Sequence, residues 1–147
     1  MSGVDEAVAC FRQGGNCAQA ILSTYGTQYG LDRQLALRLA VGLGGGLGCE
    51  GEVCGAVNGA ALTIGLKVGS ESEVGSREAK KEAYRKVRQF SERFKALHGS
   101  LACREILGCD LSTEEGLQEA REKDLFSKVC PGFVADAARI LEELLAE

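Results

Sequence analysis

The chain has 147 residues, 45% of them hydrophobic, enough for one domain with a normal core that needs no disulfides to hold it. Its 17 basic residues are interleaved with 21 acidic ones for a net charge of −4, which argues against a nucleic-acid surface; no DNA or RNA partner is expected. The longest apolar stretch, residues 53–66, contains Asn58 and falls short of the roughly 20 residues a spanning helix needs, so no membrane insertion is expected. The opening MSGVDEAVACFRQ lacks the basic start and apolar segment of a secretory signal. A cytoplasmic location is therefore expected, where seven cysteines point to metal binding or redox chemistry sooner than to structural disulfides.

The pattern predicts an all-α fold: a compact single-domain helical bundle, spanning 1–147, of about six to seven helices with a glycine-rich loop near the cysteines. A first helix is expected over about 4–12. A second, over about 16–29, follows Gly14 and Gly15, with Asn16 as N-cap and Gly30 as its end. Asp32 can cap a third over about 33–42, with Leu35, Leu39 and Val41 among its buried positions. Residues 42–51 read GLGGGLGCEG, a tight connection able to approach another group closely. The stretch completes neither the Walker pattern nor Gly-x-Gly-x-x-Gly after a strand, so nucleotide binding is disfavoured.

The helix expected over about 55–68 carries Gly55 and Gly59 four apart beside Ala56 and Ala60, a spacing for tight packing. Residues 68–75 are small and polar and read as an exposed connector. In the next helix, 76–98, Ala83, Val87, Phe90, Phe94 and Leu97, continuing to Leu101, recur at steps of three and four, while Lys80, Lys81, Arg85, Lys86, Arg88 and Arg93 face elsewhere. Ser112 and Glu115 make a capping box for a helix of about 113–124. The last helix, about 131–146, buries Val134, Ala138, Leu141 and Leu145.

Four of the cysteines fall at expected helix starts. Cys17 follows Asn16, Cys54 precedes the alanine-rich run, Cys103 is third in a short helix capped by Ser100, and Cys130 is the N-cap before Pro131. A helix start offers unpaired N–H groups and a partial positive charge, which favours a thiolate as metal ligand or nucleophile. Zinc and iron–sulfur clusters both accept four such ligands. There is no Cys-x-x-Cys, so the ligands would have to converge from different helices, and no Cys-x-x-Cys-His for haem attachment. Cys49 and Cys54 are the nearest pair and could form a disulfide, with Cys49 resolving; Cys103 and Cys109 could do likewise. Cys10 and Cys109 read as ordinary small thiols. His98, the one histidine, stands at a helix C-terminus, where it satisfies carbonyls and the dipole rather than acting as ligand or base.

The stretches Gly15-Asn16-Cys17-Ala18-Gln19-Ala20, Gly44-Gly45-Gly46-Leu47-Gly48 and Cys54-Gly55-Ala56-Val57-Asn58-Gly59, with later single cysteines at 103 and 130, resemble the family named for its pattern, C_GCAxxG_C_C. The resemblance covers about residues 10–140 and implies a redox role for Cys17, Cys54, Cys103 and Cys130. The family is also similar to the non-haem part of split-Soret cytochromes, which are dimeric and associated with an iron–sulfur centre as well as haem. The resemblance thus implies an iron–sulfur cluster here; haem is not carried over, for want of the attachment motif. No reaction comes with it, so an enzyme is neither expected nor excluded.

Three functions are weighed on these grounds. In the first, Cys17, Cys54, Cys103 and Cys130 hold an iron–sulfur cluster or another thiophilic metal for electron transfer or sensing, with a redox partner protein. In the second, a metal-free dithiol protein uses Cys54 as attacking thiol and Cys49 or Cys17 as resolving thiol. The third is a helical interaction module with structural cysteines, a homodimer through the small-residue helix.

Overall fold

The computed structural model describes residues 1–71 and 75–147, and within them the chain is all-α. The one extended feature among the described residues is an isolated antiparallel bridge between Val53 and Ala102. Helix α1 spans Gly3–Arg12. The Asn16 capping box starts α2, Cys17–Tyr25: the Asn16 side chain accepts from Gln19 N at 2.9 Å, and the Gln19 side chain accepts from Asn16 N at 3.0 Å. The expected run to residue 29 finishes instead as a 3-10 turn, Gly26–Tyr29, closed by Gly30 at φ +86°. Asp32 caps α3, Arg33–Ala40, as predicted.

Helices α4 (Gly55–Glu71) and α5 (Arg77–His98) follow, the latter ended by Gly99 at φ +85°. Helix α4 continues into the expected connector, and residues 72–74 of that connector lie outside the described residues. Helix α6 is Cys103–Leu107, α7 Glu114–Glu122, α8 Leu125–Lys128 and α9 Cys130–Ala146. The short α8 was not expected. It begins after Asp124, which takes the left-handed conformation at φ +54° and so ends the α7 segment sooner than the sequence pattern suggests. Ser112 spends its hydroxyl on Asp110, at 2.6 Å, so the predicted Ser112–Glu115 box gives way to Thr113, whose hydroxyl accepts from Gly116 N.

Helices α2 and α4 form the middle of the molecule, with α1 and α3 against α2, α5 against α4, and α9 touching all four of α1, α2, α4 and α5. The small residues fix this arrangement. A Cβ on Gly59 would lie 2.9 Å from Ile21 Cβ and 3.0 Å from the Ala18 carbonyl; one on Gly55 would lie 3.0 Å from Ala18 N. Gly55 and Gly59 thus let the two backbones meet, and Ala18, Ala56 and Ala60 are fully buried. The Gly55/Gly59 face of α4 is covered by α2.

The core contains Ile21, Tyr25, Ile64, Phe90, Phe94, Val134, Leu141 and Leu144. Tyr25 is buried with its hydroxyl donating to Glu142 at 2.6 Å, tying α2 to α9. Three apolar positions expected inside α3 and its end are outside: Leu35, Leu39 and Val41 are exposed, because this short helix packs through Ala36 and Ala40. Leu97 is exposed as well, and Lys86, expected on the solvated face of α5, is buried. Its ammonium donates to the Leu144 carbonyl at 3.1 Å, while Lys67 donates to Leu145 at 2.6 Å, so two lysines satisfy the unpaired carbonyls at the end of α9.

Replacing Gly59 with Ala should destabilise the protein by about 1–3 kcal/mol, since neither backbone can retreat from the added methyl without disturbing the core. Urea denaturation of the two proteins measures this; equal midpoints would mean the α2–α4 contact is looser than described.

Candidate functional site

The four cysteines predicted from helix starts all line one small cavity of about 90 Å³. Each arrives by its own local device. Cys17 is the first residue of α2, and the Asn16 that caps it also donates from its side-chain amide to the Val41 carbonyl at 2.9 Å, anchoring the start of the glycine loop. Cys54 stands just before α4. Its carbonyl accepts from Val57 N and Asn58 N, and the Ala56 and Val57 N–H groups also lower the pKa of its thiol. Cys130 is the first residue of α9, one place inside the predicted N-cap, with Pro131 following. Cys103 is the first residue of α6 rather than its third, because Ser100 bonds Ala102 N and the cap position falls on Ala102.

The isolated bridge brings Cys54 and Cys103 to the same side. Cys54 N donates to Leu101 O at 2.8 Å and Cys103 N to Glu52 O at 2.6 Å, on either side of the Val53–Ala102 pair. Side chains alternate along an extended segment. Val53 is accordingly 37% exposed and Cys54 2%, with Cys103 at 9%. A surface ion pair of Arg104 with Glu52, at 3.0 Å, closes the outside of this zipper.

The glycine loop forms the cavity wall, as expected of a tight connection beside the cysteines. Gly46 sits at φ +73°, and a Cβ there would lie 2.7 Å from Cys103 Cβ and 2.6 Å from Glu52 N. Hydrogen bonds six residues apart, from Gly48 N to Gly42 O, Gly51 N to Gly45 O and Glu52 N to Gly46 O, coil the segment on itself. Leu47 and Cys49 are held in the left-handed region without being glycine, at φ +69° and +62°.

The sulfurs differ electrostatically. Contacts with the thiols of Cys130 and Cys54, followed by burial, push Cys17 well above the ordinary thiol range. The Cys17 thiol and the two backbone N–H groups pull Cys54 below it despite burial, so Cys54 is the more acidic of the pair. Burial, then the charges of Cys54 and Cys130, push Cys103 up to about 12.

The remaining cysteines stay apart from the cavity. Cys49 is exposed on the outer side of the loop, against Gly45. Cys10 lies 3.7 Å from the Ser23 hydroxyl, and Cys109 is buried elsewhere. His98 departs from its expected helix-end role: its ring is wedged 4.7 Å from the Phe94 ring and 4.9 Å from that of Phe133, with Nε2 3.0 Å from an Asp136 oxygen but out of line for a hydrogen bond. Phe133 lines the cavity, so the histidine backs the wall without reaching the thiols. The apolar walls Phe11, Phe126 and Phe133 were not singled out from the sequence, since nothing in their spacing separates them from core residues.

Four sulfurs and no carboxylate or imidazole face this cavity, a donor set suited to soft metals. As the sulfurs stand, no group of three or more Cys, His, Asp or Glu among the described residues has a ready ligating arrangement. No helix of the described residues is long and apolar enough to cross a membrane.

An all-α protein that gathers four distant cysteines around one cavity is the class that fold and site define. The chain belongs to the C_GCAxxG_C_C family, described as "Putative redox-active protein (C_GCAxxG_C_C)", whose pattern matches residues 15–144. No curated protein and no solved structure matches the chain.

Two outcomes follow from the geometry. In reduced native protein, a charged alkylating reagent should modify Cys49 first, with Cys54, Cys103 and Cys130 labelled only on unfolding, as read by peptide mass spectrometry; early labelling of Cys54 would contradict its burial. Because folding raises the Cys103 pKa, its contribution to the metal-free fold is complete below the ordinary thiol value of about 8.5 and lost as pH rises from there toward about 12. Urea midpoints of the metal-free protein should therefore fall above pH 8.5, and fall less steeply in Cys103→Ser.

Proposed function

We propose that Cys17, Cys54, Cys103 and Cys130 form one redox centre that holds an iron–sulfur cluster or another thiophilic metal, for electron transfer to a partner protein or for sensing. The observation that carries this reading is the common cavity: residues spread over more than a hundred positions of sequence meet at about 90 Å³ of space with sulfur as its only ligating element. The donor set fits such a group. When bound, an iron–sulfur centre supplies one-electron exchange at a potential tuned by burial and by hydrogen bonds to sulfur.

The chain's own part is electrostatic and steric. The Ala56 and Val57 N–H groups aim at the Cys54 sulfur, and the starts of α2 and α9 carry Cys17 and Cys130, so backbone dipoles offset thiolate charge that the apolar walls would otherwise penalise. Gly45 and Gly46 close the cavity without a side chain, and Phe11, Phe126 and Phe133 limit water. His98 is engaged by Phe94, Phe133 and Asp136 and stays behind the cavity wall.

A second reading, a metal-free dithiol protein, draws support from the contact of the Cys17 thiol with the Cys54 sulfur. Cys54 would then attack and Cys17 resolve. Cys49 is less suited to resolving, being exposed across the Gly45–Gly46 wall. The third reading, a module with structural cysteines, gains nothing from four thiols gathered on one cavity with the pKa of one of them lowered.

Anaerobic purification with iron, sulfide and visible-absorption analysis tests the first reading. Each of the four cysteine-to-serine variants should lose stoichiometric metal while Cys49→Ser retains it; full retention in all four would overturn the proposal. If reconstituted protein holds no metal, mild oxidation should lower the thiol count by two and mass mapping should show a Cys17–Cys54 disulfide.

A further inference from the structure

Beside the cysteine cavity lies an open cleft of about 440 Å³, within the roughly 300–1,000 Å³ of small-molecule sites. It shares Phe11, Asn16 and Phe126 with the cavity, so the two spaces adjoin across these residues. Its polar side chains are Arg12, Asn16 and Ser127. Asn16 is committed to Val41 and Gln19, and the Ser127 hydroxyl donates to Asp124 at 2.9 Å. Arg12, the last residue of α1, is the one charged group in the lining, and among the described residues no carboxylate stands within ion-pairing reach of it.

An uncommitted guanidinium presents a planar fork suited to a carboxylate. Two aromatic faces accept a methylene or sulfur group, since sulfur packs favourably at ring edges. The four thiols line the cavity that shares Phe11, Asn16 and Phe126 with this cleft, and the natural correspondent of a thiol is another sulfur. We propose that this cleft binds a low-molecular-weight thiol that carries a carboxylate: the acid group rests on Arg12, and the sulfur lies between Phe11 and Phe126 at the mouth of the cysteine cavity. The assignment of the thiol rests on the reading of the four cysteines as a redox centre.

S-methylglutathione is a suitable probe, because it keeps the carboxylates and the sulfur but cannot exchange with a disulfide. Titrated into ¹⁵N-labelled protein purified anaerobically, it should give saturable shifts at the amides of Gly14, Gly15 and Ser127, and S-methylcysteamine, which is cationic, should not. Arg12→Glu should weaken binding about tenfold or more without altering the fold, Arg12 being exposed. Absence of saturable binding, shifts confined to other surfaces, or equal affinity in Arg12→Glu would overturn the proposal. Iron and sulfide measured on the same samples separate the two ideas: metal-loaded protein that ignores the probe sinks the cleft alone, whereas metal-free protein that binds it sinks only the metal reading.

Discussion

The contact of α2 with α4 governs the rest of the molecule. Helices whose side chains meet in the ordinary way lie 8–10 Å apart, and replacing those side chains with hydrogen lets backbones close further. Gly55 and Gly59 do this against Ala18 and Ile21, and the contact runs to the first turn of both helices. Its end is therefore where two helix starts coincide, one carrying Cys17 and the other Cys54. The helix packing itself sets the sulfur–sulfur contact, and the Cys17 thiol together with the N–H groups of α4 makes Cys54 the more acidic of the two.

The other two thiols are brought in by different means. A two-residue zipper between the end of the glycine loop and the segment before α6 orients Cys103 inward, at the cost of two non-glycine residues in the left-handed region, on the order of 1 kcal/mol each. Cys130 comes on the long α9, which is braced along its length by Tyr25, Phe94 and Lys86. Four thiols near one another repel once ionised, so the fold must hold them there against that repulsion. Contacts with neighbouring thiols raise the pKa of Cys17 and burial raises that of Cys103, with repulsion from the other sulfurs adding to both.

Much of this was legible beforehand because it is encoded locally. Asn16, Asp32, Gly30 and Gly99 each fix a helix boundary through their own backbone or side-chain preferences, and the boundaries fall where those residues place them. The same logic put all four cysteines within two residues of their observed helix positions. What failed to show was tertiary. Leu39 and Lys86 are on the wrong sides of a simple amphipathic reading, because α3 packs through alanines and because the carbonyls ending α9 need a buried donor. The cavity walls were equally hidden, since a phenylalanine beside a thiol has the same helical spacing as one in the core.

Helix α9 has a property that its two ends give only together. Cys130 begins it and the carbonyls of Leu144 and Leu145, held by Lys86 and Lys67, finish it. Seventeen residues at about 1.5 Å each make a stiff rod of about 25 Å, pinned at one end and bearing a sulfur at the other. Such a rod, braced along its length as well, keeps its two ends in a fixed relation. The two lysines that hold one end of the helix thereby help to fix where Cys130 stands at the other.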